Sequence, residues 1–251
     1  RYIRTQFGVG NRLVNAESDY IPGLIVDRYA QFLVIQALTL YIDKHKQHIS
    51  QILLQVCNEH GMQIKGIYER SDVDIRKHEG LKEETGLLLG EEPPEVITFG
   101  IEKLKYRVDV RNGHKTGFYL DQMQNFDIAG NLALDNDLYA PDARMLNTFS
   151  YTGSFGLIST AHVINVDSSY EALQFAEETY KLNDFPEDEV EFVQADCFDY
   201  LHHCVEENEL FDIVVLDPPK FAHNKQQIDR ASRGYKDLNL NAFKIIKEGG
   251  Y

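Results

Sequence analysis

The sequence predicts an α/β protein: a doubly wound parallel sheet in its second half, preceded by a smaller mixed α/β (α+β) domain. Three observations lead there. The second half alternates short apolar runs with helix-period segments, as βαβ units do. Those apolar runs lack polar alternation, which is expected of strands covered on both faces. The first half instead joins strand-like runs by short turns around one helical stretch. At 251 residues and 43% hydrophobic content, the chain can bury a sizeable core and suits one large or two modest domains. The change of pattern divides it into 1–112 and 113–251.

In the first domain, residues 24–28 and 32–38 are rich in Val, Ile and Leu around a short polar turn, which predicts a hairpin. Pro22-Gly23 sets its entry, because Pro fixes φ and Gly accepts the positive φ of a type II turn. Over 42–59 the apolar residues Ile49, Ile52, Leu53 and Val56 fall at helical spacing, and Gly61 stands where that helix should stop. Residues 96–99 and 104–110 predict another strand pair, with Gly100 in the turn. In the second domain the spacing predicts strands at 145–149, 163–166, 190–194 and 213–216, with helices over 170–182 and 198–207. One connection is too short. From the turn at Gly153 and Gly156 to the strand at Val163 only about six residues remain, whereas a crossover takes roughly ten to twelve. Five helical residues rise about 7 Å, against a strand of about 16 Å. Either most of the first crossover helix is lacking, or residues are missing from the sequence near 156–163; the second is favoured.

Composition narrows the function classes. Lys plus Arg number 25 and Asp plus Glu 40, for a net charge of −15, which opposes a generic polyanion binder and leaves nucleic-acid contact to local basic patches. No run approaches a membrane span, and Arg1-Tyr2-Ile3-Arg4 is not a secretory start, so a soluble, cytoplasmic protein is expected. Cys57, Cys197 and Cys204 lack Cys-x-x-Cys spacing, so reduced thiols are expected rather than disulfides or a metal site. The chain has no initiating Met and stops at Gly249-Gly250-Tyr251, where a helix should feed a new strand; it reads as a fragment.

In doubly wound sheets ligands bind beyond the carboxyl ends of the strands, where strand order reverses. Four successive strand ends here carry suitable residues. The first enters a small-residue turn containing Asn147, Phe149, Tyr151, Thr152 and Gly153, through which a ligand could approach the backbone. The second ends at Asp167-Ser168, about twenty residues on, where a carboxylate can accept both ribose hydroxyls of a nucleoside, or else cap the next helix. The third ends at Asp196-Cys197-Phe198, where Asp196 could accept from an adenine amino group with Phe198 on the ring, capping again being the alternative. The fourth ends at Asp217-Pro218-Pro219-Lys220. Two prolines stop the strand and stiffen the path after Asp217, which projects into the crevice. Four unrelated caps would rarely fall in this order.

Residues 144–251 resemble a Rossmann-like class I S-adenosylmethionine-dependent methyltransferase. More closely, Asn15-Ala16-Glu17-Ser18-Asp19, Pro22-Gly23-Leu24-Ile25-Val26-Asp27-Arg28-Tyr29, Glu69-Arg70-Ser71-Asp72, Lys115-Thr116-Gly117-Phe118-Tyr119-Leu120-Asp121-Gln122, Phe149-Ser150-Tyr151-Thr152-Gly153 and Asp217-Pro218-Pro219-Lys220-Phe221 resemble the RlmI-like family of ribosomal RNA large-subunit methyltransferases, over nearly the whole chain. The resemblance implies S-adenosylmethionine as cofactor, an rRNA substrate, no membrane association, and 5-methylcytosine in 23S rRNA as product; a homodimer is an option. It implies cofactor contacts from Gln122, Asn147, Phe149, Tyr151, Thr152, Gly153, Asp167, Ser168, Asp196, Cys197 and Asp217, with Asp217, Pro218 and Lys220 in catalysis. It also implies an N-terminal RNA-binding PUA domain, absent here, and a nucleophilic Cys after the strand that would follow Tyr251. The family's Asp-Gln-Arg motif reads Asp121-Gln122-Met123, which removes a cation from the rim.

Carbon 5 of cytosine is a poor nucleophile, so attack there needs a Cys thiolate at carbon 6 and a carboxylate near the ring nitrogen, here Asp217. None of the three cysteines suits the thiolate role. An exocyclic amine acceptor would need only Asp217 and the Pro218 carbonyl, and a non-catalytic RNA-binding or assembly module is a third reading. Lys220, Lys225, Arg230, Arg233 and Lys236 against Asp229 give +4 beside the catalytic strand, an RNA-contact candidate with His223 and Tyr235 as stacking surfaces. A second cluster, Lys103, Lys105, Arg107, Arg111 and Lys115 against Glu102 and Asp109, reads as a polar sheet face.

Overall fold

A computed structural model describes residues 9–101, 103–126, 128–129, 143–158, 162–222 and 224–251. The chain divides into two units, Arg1–Gln122 and Met123–Tyr251.

In the first unit a five-stranded sheet runs β1 (Gly10–Asn15), β2 (Leu24–Tyr29), β3 (Phe32–Ala37), β4 (Gly66–Ser71), β5 (Glu84–Gly90) in sequence order. The predicted hairpin is β2–β3, turning at Ala30 with φ +52. Helix α1 (Leu40–Glu59) carries the chain from β3 to the parallel β4. Gly61, at φ +73, sits just past the end of α1, as expected. The buried face of α1 is Ile42, Ser50 and Cys57, with Ile49, Leu53 and Leu54 packed partly against the core; Ile52 and Val56 lie on its exposed flank. A separate ribbon pairs β6 (Ile97–Ile101) with β7 (Leu104–Val108). Gly100 is in that ladder opposite Lys105, not in the turn, because the reversal comes later in the chain.

Sequence reasoning missed β4, and the reason is electrostatic. Glu69 and Arg70 look like loop residues, yet both are buried. Lys46 Nζ lies 2.8 Å from Glu69, 2.7 Å from Glu84 and 3.3 Å from Asp43, and Arg76, 1% exposed, reaches Asp43 at 2.9 Å. Three converging carboxylates are thus met by two cations, which is how charge can be buried at tolerable cost.

The second unit contains a four-stranded parallel sheet in the order β10 (Val190–Gln194), β9 (His162–Asp167), β8 (Arg144–Thr148), β11 (Ile213–Leu216). Helices α2 (Tyr170–Leu182) and α3 (Cys197–Glu206) form crossovers, and α4 (Ile228–Ile245) follows β11. Alternate strand residues serve opposite faces: Met145, Val163 and Ile213 pack on one side, Leu146, Ile164 and Val166 on the other. The apolar runs lack polar alternation because both faces are covered. The chain winds from β8 out to β10 and returns to β11 on the far side of β8, so strand order reverses at β8. In the connection from β8 to β9, the described residues contain one 3-10 turn, Gly156–Ile158, and no α-helix. The suspected gap near 156–163 falls partly on 159–161, outside the described residues.

Candidate cofactor and active site

Sheet register fixes the geometry. Thr148 pairs with Val166 on one side and Leu216 on the other, so Phe149, Asp167 and Asp217 form the next level at the carboxyl edge. Neighbouring strands are about 4.8 Å apart, so the two carboxylate-bearing tips stand about 10 Å apart with the turn after β8 between them. The strand tips therefore converge on one edge, at the point of strand reversal.

That turn departs from strand geometry at once. Phe149 (φ +52), Tyr151 (φ +48) and Gly153 (φ +74) are all left-handed, an arrangement two non-glycine residues adopt only under outside constraint. The constraints are hydrogen bonds from neighbouring tips. Phe149 N–H donates to Cys197 Sγ at 3.2 Å, Ser150 N–H to the Val166 carbonyl at 3.0 Å, and Tyr151 N–H to Asp167 Oδ2 at 2.8 Å. Asp167 Oδ1 accepts from Ser169 N–H at 2.9 Å. Asp167 does not cap α2; Ser169 does, accepting from Ala172 N–H at 3.2 Å. Each Asp167 oxygen thus holds a backbone donor and keeps a second lone pair. Ser150 Oγ and Asn147 Oδ1 are buried with no partner among the described residues. Residue types alone single out the neighbours of Ser150, not Ser150 itself; its buried hydroxyl becomes visible only in the fold.

Asp196 does cap its helix: Oδ1 accepts from Phe198 N–H at 2.8 Å and Asp199 N–H at 3.3 Å. Its Oδ2 accepts nothing among the described residues, so capping leaves one oxygen for a ligand. Cys197 is buried, and burial pushes its thiol up to about 12, with Asp167 and Asp196 adding to the rise and the Phe149 N–H opposing it. Burial also raises Cys204, to about 11, and Cys57. Burial thus disfavours the thiolate form of all three cysteines and leaves none of them accessible as a nucleophile.

Beyond β11, Asp217 is exposed, and Pro218 and Pro219 lead into Lys220, also exposed. Tyr235 on α4 clamps this loop: its hydroxyl donates to the Pro219 carbonyl and accepts from Phe221 N–H, both at 3.3 Å, while its ring lies 4.6 Å from that of Phe221. The residue expected to stack an RNA base is engaged in holding the loop after Asp217. Phe198 and Phe221 (centroids 5.8 Å apart) wall a cleft of about 320 Å³ with Arg230 and Gly234. Lys225, Arg230, Arg233 and Lys236 are all exposed on the segment leading into and along α4. His223 and Glu102 lie outside the described residues. Ser168 is exposed at the tip of β9, and Thr152 is buried in the turn. Gln122 ends the first unit. Nearby, burial works against ionisation of Asp121, but its hydrogen bonds from Lys115 at 2.8 and 2.9 Å outweigh that and lower its pKa.

A left-handed turn between acidic tips, at the reversal point of a parallel sheet, defines a protein of the S-adenosylmethionine-dependent methyltransferase fold. An S-adenosylmethionine-dependent methyltransferase candidate from Streptococcus mutans superposes with a TM-score of 0.78 at 24% identity, over 98% of this chain and 60% of that one. A methyltransferase candidate crystallised with SAH (S-adenosylhomocysteine) gives 0.77 at 25% identity, over 96% and 59%. In sequence, the chain is a homologue along nearly all its length of ribosomal RNA large subunit methyltransferase I. It is 44% identical to the Photobacterium profundum protein of that name over 96% of this chain, 44% to that of Aeromonas salmonicida over 99%, and 46% to that of Tolumonas auensis over 95%. It spans about three fifths of the length of these relatives, 58–61%. No protein-family model matches the chain. The resemblance read from the motifs is borne out by these relatives, and the fold by the solved structures.

Proposed function

We propose that this chain forms the cofactor crevice and acceptor-side surface of an S-adenosylmethionine-dependent RNA methyltransferase acting on 23S rRNA, with carbon 5 of a cytosine as acceptor. One observation carries the reading: sheet register brings the turn after β8, Asp167 and Asp217 to one edge level. The names of the relatives support an rRNA substrate, and the SAH-bound structural neighbour supports the cofactor.

The residues fit that cofactor chemically. Asp167 and Asp196 offer acceptors for ribose hydroxyls and an adenine amino group, with Phe198 beside the ring, and the acidic edge favours a cationic sulfonium. Bound S-adenosylmethionine supplies a methyl group on a good leaving group, so this chain's task is alignment and charge stabilisation. Pro218 and Pro219, clamped by Tyr235, hold Asp217 at the acceptor, where it stabilises the protonated ring nitrogen. The thiolate that must add to carbon 6 is none of Cys57, Cys197 and Cys204, all buried, and would have to come from outside residues 1–251. Lys225, Arg230, Arg233 and Lys236 provide local positive charge for phosphate in a chain of net charge −15. A second reading, an exocyclic amine as acceptor, keeps its place on one observation: all three cysteines are buried.

The test uses the full-length protein, unmodified 23S rRNA and S-adenosylmethionine carrying a deuterated methyl group, with nucleoside mass spectrometry. Label in 5-methylcytidine is expected. Label on an exocyclic amine selects the second reading, and no label in RNA overturns both. Asp217→Ala should abolish transfer while the Kd for cofactor stays within about twofold.

A further inference from the structure

The glycines of the cofactor turn are shaped from behind. A Cβ on Gly153 would lie 2.9 Å from Tyr180 Cε2 and 3.2 Å from Ala176 Cβ, and one on Gly156 would overlap the Tyr180 hydroxyl and the Val163 side chain. The space these residues leave is filled by α2. Their smallness therefore admits a tyrosine to the inner side of the turn, where the sequence alone suggested room for a ligand.

Tyr180 is 1% exposed, and its hydroxyl donates to the Gly153 carbonyl at 2.9 Å. The same carbonyl accepts Gly156 N–H at 3.1 Å. Two asparagines orient the hydroxyl. Asn165 Nδ2 donates to it at 3.2 Å, and Asn147 Nδ2 donates to Asn165 Oδ1 at 2.8 Å; both asparagines are at most 1% exposed and are register partners on β9 and β8. Phe185 and Phe192 contact the tyrosine ring edge-on, with centroids at 5.0 and 5.3 Å, and fix its plane. A buried polar chain, Asn147–Asn165–Tyr180, thus ends on the carbonyl of the residue where the turn is left-handed.

We propose that Tyr180 is a positioning residue for the cofactor: its hydroxyl holds the Gly153 peptide so that the outer side of the turn is formed before ligand arrives. The inference rests on reading this crevice as the S-adenosylmethionine site. Such a residue sets affinity without touching the ligand, because an unanchored turn must be ordered at the moment of binding. It also accounts for two polar residues placed at core positions of adjacent strands: both Nδ2 groups donate within this chain, while Asn147 Oδ1 stays without a partner among the described residues.

Tyr180→Phe keeps the ring and its packing and removes the single donor. In the full-length protein, calorimetry well below the melting temperature should show the Kd for both S-adenosylmethionine and S-adenosylhomocysteine rising about five- to tenfold. The KM for S-adenosylmethionine should rise in parallel, with kcat at saturating cofactor within about twofold. Asn165→Ala should give a smaller rise, and the double variant no more than Tyr180→Phe alone, because the two act through one hydrogen bond. A purely structural tyrosine would lower the melting temperature and leave Kd and KM unchanged; that result, or full additivity of the two variants, overturns the proposal. Wild-type protein that fails to bind either ligand overturns the crevice reading and this inference together. Wild-type binding with an unaffected Tyr180→Phe overturns the inference alone.

Discussion

Asp167 has two tasks that a single variant separates. Its oxygens accept Tyr151 N–H at 2.8 Å and Ser169 N–H at 2.9 Å, and each keeps a second lone pair for the ribose proposed to bind there. Asp167→Ala removes a charged acceptor from both backbone donors, a loss of about 1–3 kcal/mol in stability, toward the low end because the residue is only partly buried. The same substitution removes the acceptor for ribose hydroxyls, costing about 1–3 kcal/mol of binding, or about 5- to 150-fold in Kd. Asp167→Asn should be no milder: with both oxygens occupied by backbone N–H groups, either amide orientation turns an NH2 toward one of those donors. Urea unfolding measures the first effect and calorimetry the second. A 3′-deoxy analogue of S-adenosylhomocysteine distinguishes direct contact from loosening of the turn. Wild-type protein should discriminate against it, and Asp167→Ala should bind it and its parent nearly alike. If Asp167→Ala folds, loses stability and yet binds cofactor within twofold of wild type, the carboxylate merely ties β9 to the turn and the ribose assignment is wrong.

Three further outcomes are expected. Replacing Arg233 and Lys236 together by Ala should weaken RNA binding at all sequences alike, and should reduce the slope of log affinity against log salt by about 1.4 for two single-strand phosphate contacts; an unchanged slope removes α4 from the interface. The three buried thiols should resist alkylation in the folded protein at pH 7.5 under conditions that modify the unfolded chain fully. Because folding raises the Cys197 thiol from 9.0 to about 12, its contribution to stability is complete below pH 9 and disappears as pH climbs toward 12. Urea midpoints that stay flat across that window, or ready alkylation of Cys197 at pH 7.5, would contradict its burial against the turn.

Much of the fold was legible in the sequence because burial on both faces leaves a one-dimensional trace. Strands β8 to β11 and helices α2 and α3 appear within a residue or two of where apolar runs and helical spacing predict them. The limits were equally physical. β4 was illegible because distant partners make its burial possible: Glu69 pairs with Lys46, and Arg70 donates to the Val110 and Gly113 carbonyls. Gly100 signalled a turn but lies in a ladder. Ile52 and Val56 fit the helical period of α1 yet face outward.

At the crevice, residue types alone named Asp167, Asp196 and Asp217, since acids at successive strand ends are a local pattern. Only the folded chain decided what each does with its oxygens: Asp196 caps α3 with one, and Asp167 ties two loops with both. Likewise Tyr180 looks like one more core residue beside Ala172, Leu173 and Ala176, and Tyr235 like an exposed aromatic. Their hydroxyls meet backbone carbonyls 27 and 16 residues away. Periodicity records which side of an element is buried, but the direction of a hydrogen bond depends on which elements become neighbours, and that is written only in the tertiary structure.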